Sequence, residues 1–300
     1  MINRSNLLIF VGLFFGLSFN GNAKTIKLKA QSERRTDVRV KLPRKFEKKE
    51  KWPLLISLHG YGGNSLIQKY YIRLGHYENQ FGYVYTAPNG IKNNEGKRFW
   101  NASEFCCNFD PQIVDDVSYI KNLIHRITTS PEIGRIDLSQ IYLIGYSNGA
   151  FLASKIACES DLPIAGIVTI SGTGDLRGKD QQLFLKDKIE CSHNRPIKVL
   201  HIHGTEDETI RYQGFDNGKT AHVSAIDHVT RWANHNGCKG SLEKKPEVFN
   251  ASNFVKGKET ERYAFEDCEA KVEHYKIKGG AHFAVFKKKF TKSILEFLLK

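Results

Sequence analysis

Beyond its N-terminus the 300-residue chain has no apolar run approaching the roughly 20 residues that a membrane-spanning helix needs. No stable membrane insertion is therefore expected. No C-x-x-C pair occurs, and two of the six cysteines, Cys106 and Cys107, are adjacent, which disfavours a zinc ribbon. Internal repeats, low-complexity tracts and Pro- or Ser-rich linkers are also missing, so one domain is the economical reading. The formal net charge of +13 lacks the interleaved aromatic pattern of a nucleic-acid surface. It reads as a well-solvated, Lys-rich exterior with no nucleic-acid partner.

What is present points to an exported globular protein. Hydrophobic residues make up 40% of the chain, enough for a substantial core. The N-terminus carries Asn3 and Arg4, an apolar run from Leu7 to Phe19, and then Gly21-Asn22-Ala23 with small residues at the expected spacing. This predicts a secretory signal peptide over residues 1–23, cleaved after Ala23, and a mature domain over 24–300. Six cysteines suit an oxidising compartment, where they can form disulfides, although their pairing is not readable from spacing.

Strand-like and helix-like stretches alternate. The alternating Val38–Leu42 reads as a half-exposed strand, and the near-continuous apolar run Pro53–Leu58 as a strand buried on both faces. Further strands are expected at Gly82–Tyr85, Gln140–Ile144, Ile164–Ile170, Ile197–Ile202 and Val272–Ile277. Helices are expected at Ile113–Ile127, Ala150–Cys158, Ala221–Asn234 and Phe286–Leu299. The alternation predicts an α/β fold, a mostly parallel sheet with helices on both faces. Lys92–Asp110, Gly172–Pro196 and Gly237–Glu261 read as long irregular stretches, some of them shaping a cleft at the carboxyl ends of the strands.

Gly145-Tyr146-Ser147-Asn148-Gly149 is a G-x-S-x-G between an apolar strand and an Ala-rich helix start, the setting of the nucleophile turn of α/β-hydrolases. A serine hydroxyl needs a histidine to take its proton, and the histidine needs a carboxylate. In that fold the acid follows the serine and the histidine comes last, each in a loop after a strand. Asp207, in the loop Gly204-Thr205-Glu206-Asp207-Glu208, is the expected acid, with Glu206 and Glu208 as neighbours to be weighed against it. His282, in the glycine-hinged Gly279-Gly280-Ala281-His282, is the expected base, whereas His222, His228 and His235 read as surface or packing residues. The oxyanion of an acyl-transfer intermediate is assigned to the backbone amides of Asn148 and, in the loop after His59-Gly60, Tyr61. His201-x-His203 with Glu206 is a formal metal-ligand pattern, but no third histidine follows at ligand spacing, so no metal is expected.

With these residues in view the chain resembles the polyhydroxybutyrate depolymerase-like esterases, which include feruloyl and acetylxylan esterases. The resemblance rests on Leu58-His59-Gly60-Tyr61-Gly62-Gly63, Trp100-Asn101-Ala102 with Cys106-Cys107, Val114-Asp115-Asp116-Val117, the serine motif with Cys158, His201-Ile202-His203-Gly204-Thr205 with Asp207, and Asn236-Gly237-Cys238 with Cys268. It covers about residues 36 to 285. It implies a secreted serine carboxylesterase acting without a cofactor on feruloyl, acetyl or hydroxyalkanoate esters, polymer-linked ones among them. It also implies a disulfide between Cys238 and Cys268. The chain departs from the family's usual pattern after His282, where Phe283-Ala284 stand in place of a Trp-Pro pair, and no stretch of these 300 residues is expected to form an appended polymer-binding domain. A lipase or peptidase on the same fold, or a binding protein without catalysis, are the competing expectations.

Overall fold

Trp52–Leu58 forms a strand buried at every position (β3), and its period-2 geometry sends Leu54, Ile56 and Leu58 into one hydrophobic layer and Leu55 into another. The structure is a computed structural model that describes residues 23–102, 106–109, 113–174, 191–217 and 221–300. The expected signal segment, except Ala23, and most of Gly172–Pro196 lie outside the described residues. Around β3 is a ten-stranded sheet. Its other strands are β1 (Thr25–Leu28), β2 (Val38–Lys41), β4 (Val84–Thr86), β5 (Ile136–Tyr146), β6 (Ile164–Ile170), β7 (Lys198–Gly204), β8 (Lys239–Phe249), β9 (Thr260–Glu266) and β10 (Val272–Ile277). The order is β1-β2-β4-β3-β5-β6-β7-β10-β9-β8. The strands from β4 to β10 in that order are parallel, and antiparallel pairs flank them on both sides.

Both faces of this sheet are covered. The amphipathic helix α2 (Asp116–Thr128), α3 (Asn148–Glu159) and α4 (Ala225–His235) bury Leu123, Phe151 and Trp232 in the layer that holds Leu54. On the other face α1 (Ser65–Ile72) and α5 (Lys288–Leu299) bury Ile72, Phe290 and Ile294 with Leu55 and Ile144. Among the described residues no helix is long and apolar enough to cross a membrane.

Several boundaries differ from the sequence reading. α2 begins at Asp116 rather than Ile113, because the Asp115 carboxylate accepts the Ser118 amide and caps the helix. Ser224 caps α4 in the same way, and Ala221–His222 is a short strand rather than helix. Gly237–Glu261 is not irregular over its length: β8 runs from Lys239 to Phe249 and pairs with β9, which the sequence reading did not assign. As the outer strand, β8 has no buried position and so no apolar alternation, and its Lys244 reaches across to Glu261 on β9. Charged residues on an edge strand discourage pairing with another chain.

Disulfides join Cys158 to Cys191 and Cys238 to Cys268, the latter being the pair that the resemblance implied. The adjacent Cys106 and Cys107 are also joined.

Candidate active site

Ser147 follows the last residue of β5 and precedes the first of α3, with φ 51° and ψ −121°, a left-handed conformation that a non-glycine residue adopts only under constraint. The flanking glycines are there for space. A Cβ on Gly145 would lie 2.1 Å from the Gly149 carbonyl oxygen, and one on Gly149 would lie 2.3 Å from that of Leu58. No larger residue fits so sharp a turn, and the turn lifts the serine side chain off the end of the sheet.

The loops after β7 and β10 bring a carboxylate and an imidazole to that serine. His282 Nε2 lies 3.0 Å from Ser147 Oγ, and His282 Nδ1 lies 2.7 Å from Asp207 Oδ2. Asp207 is buried while Glu206 and Glu208 are exposed, so the three acids of this loop are sharply distinguished by environment. Its other oxygen, Oδ1, accepts the Thr209 and Ile210 amides at 2.9 and 2.8 Å. Burial works against its charge, but hydrogen bonds from His203 and His282 outweigh it and hold the carboxyl well below the usual carboxylate range. The two loops are stitched together by Glu206 N to Gly280 O at 2.9 Å, Thr205 N to Ile277 O at 3.0 Å and Gly279 N to Thr205 Oγ1 at 2.9 Å.

The amides expected to receive an oxyanion belong to the same corner. Tyr61 lies in the turn after β3, where Gly63 N bonds to Gly60 O at 3.0 Å, and Asn148 opens α3. Neither the Tyr61 nor the Asn148 amide has a hydrogen-bond partner among the described residues. The Asn148 side chain clamps the neighbouring loop, accepting the Trp100 amide at 2.7 Å and donating to the Trp100 carbonyl at 3.0 Å. Trp100 Nε1 in turn donates to His59 O at 2.9 Å, which ties the tyrosine-bearing turn to the serine turn.

Ser147 and His282 open onto a cavity of about 420 Å³ with aromatic walls from Tyr61, Phe109, Phe151 and Phe215. Sequence reading missed two of its parts. His222, read as surface or packing, is buried in this wall, where its Nε2 accepts the Arg211 amide at 3.2 Å and its Nδ1 donates to Val223 O at 3.1 Å. Both nitrogens are thus engaged, burial lowers the ring's pKa, and it faces the cavity as a neutral plate. The joined Cys106 and Cys107 line the cavity too, with Cys106 Sγ 3.7 Å from Asn148 Nδ2. Only the adjacency of the two cysteines hinted at this.

His201 and His203 engage all four of their ring nitrogens in hydrogen bonds, to Thr169, to each other, and to Asp207 and Ile210. Those bonds occupy the nitrogens that a metal would need. Among the described residues no group of three or more His, Cys, Asp or Glu is arranged to hold a metal ion.

The sequence pattern of the phospholipase/carboxylesterase family matches residues 45–248. Feruloyl esterase B of Piromyces equi is 25% identical over 250 residues, which are 81% of this chain and 42% of that protein, so the chain spans less than half of that relative. A probable feruloyl esterase C of Aspergillus niger is 23% identical over 248 residues, 80% of this chain and 74% of the relative. Among solved structures, an acetyl xylan esterase from Aspergillus awamori superposes with a TM-score of 0.61 at 13% identity, covering 92% of this chain and 100% of the other.

Proposed function

The chain belongs to the phospholipase/carboxylesterase family and has the α/β-hydrolase fold, and from that premise we propose that it hydrolyses carboxylic esters by acyl transfer through Ser147. The observation that carries the reading is the unbroken chain Ser147 Oγ, His282, Asp207, with contacts of 3.0 and 2.7 Å. In the first half-reaction Ser147 Oγ attacks the ester carbonyl carbon while its proton passes to His282 Nε2. The carbonyl oxygen becomes an oxyanion held by the Tyr61 and Asn148 amides. Collapse breaks the bond to the alcohol oxygen, which leaves with the proton from His282, and the acyl group stays on Ser147. Water then attacks that acyl group with His282 as base, releasing the acid and restoring the serine. Asp207 holds the imidazole in the tautomer that accepts at Nε2 and stabilises the cation.

The cavity lining supports one acyl class over the others. Flat rings from Tyr61, Phe109, Phe215 and the neutral His222 favour stacking on a planar aromatic acid over packing of a short acetyl group. The lead substrate class is therefore hydroxycinnamoyl esters, as in the feruloyl esterases that the chain resembles; acetyl-polysaccharide and hydroxyalkanoate esters are the alternatives. The apolar Leu7–Phe19 ahead of Ala23 and the three disulfides support secretion, with residues 24–300 as the mature catalytic domain.

The test is a substrate panel run on the protein and on Ser147→Ala. The wild type should turn over methyl ferulate with kcat/KM at least about tenfold above acetylated xylan and short hydroxybutyrate oligomers, and Ser147→Ala should lose about 10³-fold or more in kcat. A variant that keeps more than about a tenth of the activity would remove Ser147 from the reaction. A preference for the acetyl or hydroxyalkanoate substrate would overturn the aromatic reading alone.

A further inference from the structure

Behind the proposed acid lies a polar layer that the ester chemistry does not use. Strand register builds it: Thr169 on β6, His201 on β7 and His274 on β10 are direct neighbours across three parallel strands. His203 follows two residues after His201 on the same face, and His228 packs onto the layer from α4. Thr169, His201, His203, His228 and His274 are all fully buried.

The protons in this layer can be assigned. His203 Nε2 faces two acceptors, Asp207 Oδ2 at 3.1 Å and Ile210 O at 2.7 Å, so it carries a hydrogen and donates to both. In a neutral ring its Nδ1 is then a lone pair, and it accepts from His201 Nε2 at 3.1 Å. His201 Nδ1 must accept in turn, from the Thr169 hydroxyl at 2.8 Å, and Thr169 Oγ1 accepts from His228 Nε2 at 3.2 Å. The row ends at His228, which is fully buried and faces the Thr173 backbone. With neutral rings, this arrangement makes each of those side-chain contacts a hydrogen bond. Burial, which pushes His201 and His228 far below the ordinary histidine range, is consistent with it. His274 fixes the layer from the side, donating from Nδ1 to His201 O at 3.2 Å and accepting the Tyr212 hydroxyl at Nε2 at 2.8 Å.

We propose that His203 is a positioning residue for this site, holding the Asp207 carboxylate on His282 by donating to the same oxygen that His282 Nδ1 contacts, with its own tautomer fixed by Ile210 O and the row from His228. This rests on the assignment of Ser147, Asp207 and His282 above. One carboxylate oxygen thus receives two imidazole N–H groups, from His203 behind and His282 in front, while the other receives two loop amides. Sharing that oxygen makes Asp207 a weaker base toward His282 than a carboxylate with a free lone pair, so the fixed donor sets both the aim and the basicity of the catalytic imidazole. The other titratable groups facing this assembly are the phenols of Tyr71, Tyr146 and Tyr212 and the rings of His222, His228 and His274. The cations acting on those rings are Arg211 on His222, Arg231 on His228 and Lys276 on His274.

The experiment compares His203→Leu, His203→Gln and His203→Asn with wild type and Ser147→Ala, using a soluble p-nitrophenyl ester across pH. Leu removes the donor at similar bulk; a Gln amide reaches the place of Nε2 and an Asn amide does not. His203→Leu and His203→Asn should lose about 10- to 100-fold in kcat, the range for a missing hydrogen bond to a charged acceptor, with KM changed by less than about threefold. Freed of its second donor, Asp207 binds the imidazolium more strongly, so the acid limb of kcat/KM should move up by about half to one pH unit in both. His203→Gln should recover most of the rate and return the limb toward wild type. Wild-type rates and pH profile in His203→Leu would overturn the proposal. So would a rate loss in which the limb stays in place and Gln is no better than Asn, since that is what simple damage to packing gives. If His203→Leu does not fold, the Gln and Asn pair decides by the same criteria. An active Ser147→Ala defeats the underlying assignment, whereas an inactive Ser147→Ala beside indifferent His203 variants defeats this proposal alone.

Discussion

The number of histidines kept neutral inside this chain makes its stability steeply dependent on pH. Burial pushes His228 and His274 down to about 3 and His59 to about 4. Their hydrogen bonds are those of neutral rings: His59 accepts the Gly90 amide at Nε2 at 3.0 Å and donates from Nδ1 to Gly60 O at 2.7 Å. In the unfolded chain the same rings take up protons below about pH 6.5. Between that value and the depressed folded values the unfolded state binds more protons, so stability present at pH 7 is lost as the pH falls. For one such ring the loss between pH 7 and pH 5 is about 2 kcal/mol, and for these three about 6 kcal/mol. That is comparable with the whole stability of an ordinary domain, roughly 5 to 15 kcal/mol. Carboxylates held low, Asp207 among them, lose their share mainly below about pH 5, at the lower edge of this window. Urea unfolding followed by tryptophan fluorescence at pH 7, 6 and 5, with disulfides intact, reads the loss directly. His274→Gln keeps hydrogen-bonding capacity but cannot titrate, so its stability should fall by about 2 kcal/mol less than the wild type's over the same range, whatever its starting stability. Identical pH dependence in the two proteins, or a wild-type loss under about 2 kcal/mol, would refute the reasoning.

Replacing Asp207 by Asn should lower kcat by about 10³- to 10⁴-fold on the pH plateau, by loss of charge and of the correct imidazole tautomer. Glu206→Gln and Glu208→Gln, at exposed positions, should each cost less than about tenfold, and steady-state kinetics on the three variants would move the acid if the order reversed. Gly149→Ala would put a Cβ 2.3 Å from Leu58 O and 2.6 Å from His59 O, so a stability loss of about 2 kcal/mol or more is expected from thermal unfolding. A change within about 0.5 kcal/mol would show that the serine turn and β3 can separate at little cost.

The central strands were legible because burial on both faces leaves an unbroken apolar run, as in Trp52–Leu58 and Ile164–Ile170. The outer strand Lys239–Phe249 was not, because an edge held by backbone pairing and ion pairs leaves no apolar rhythm to read. That Ser147, Asp207 and His282 would meet could be read because each occupies a loop directly after a strand, and chain order does the rest. What could not be read was anything that depends on which strands become neighbours. Thr169, His201 and His274 are far apart in sequence and meet only through the register of β6, β7 and β10. Likewise Phe109 and the locally paired Phe215 and His222 come from separate segments and reach one cavity only after folding.

The hydrogen bonds that clip the Thr205–Glu206 loop to the Ile277–Gly280 loop separate two kinds of change during descent or engineering. The proposed acid and base ride on one fastened pair of loops that continues the β7 and β10 pairing. The cavity walls at Tyr61, Phe109 and Phe215 arise from other parts of the chain. On the proposed chemistry, substitutions there would retune which acyl group is accepted without disturbing the aim of the imidazole. The same fixed machinery can thus be carried through a lineage, or a library of variants, while its diet diverges.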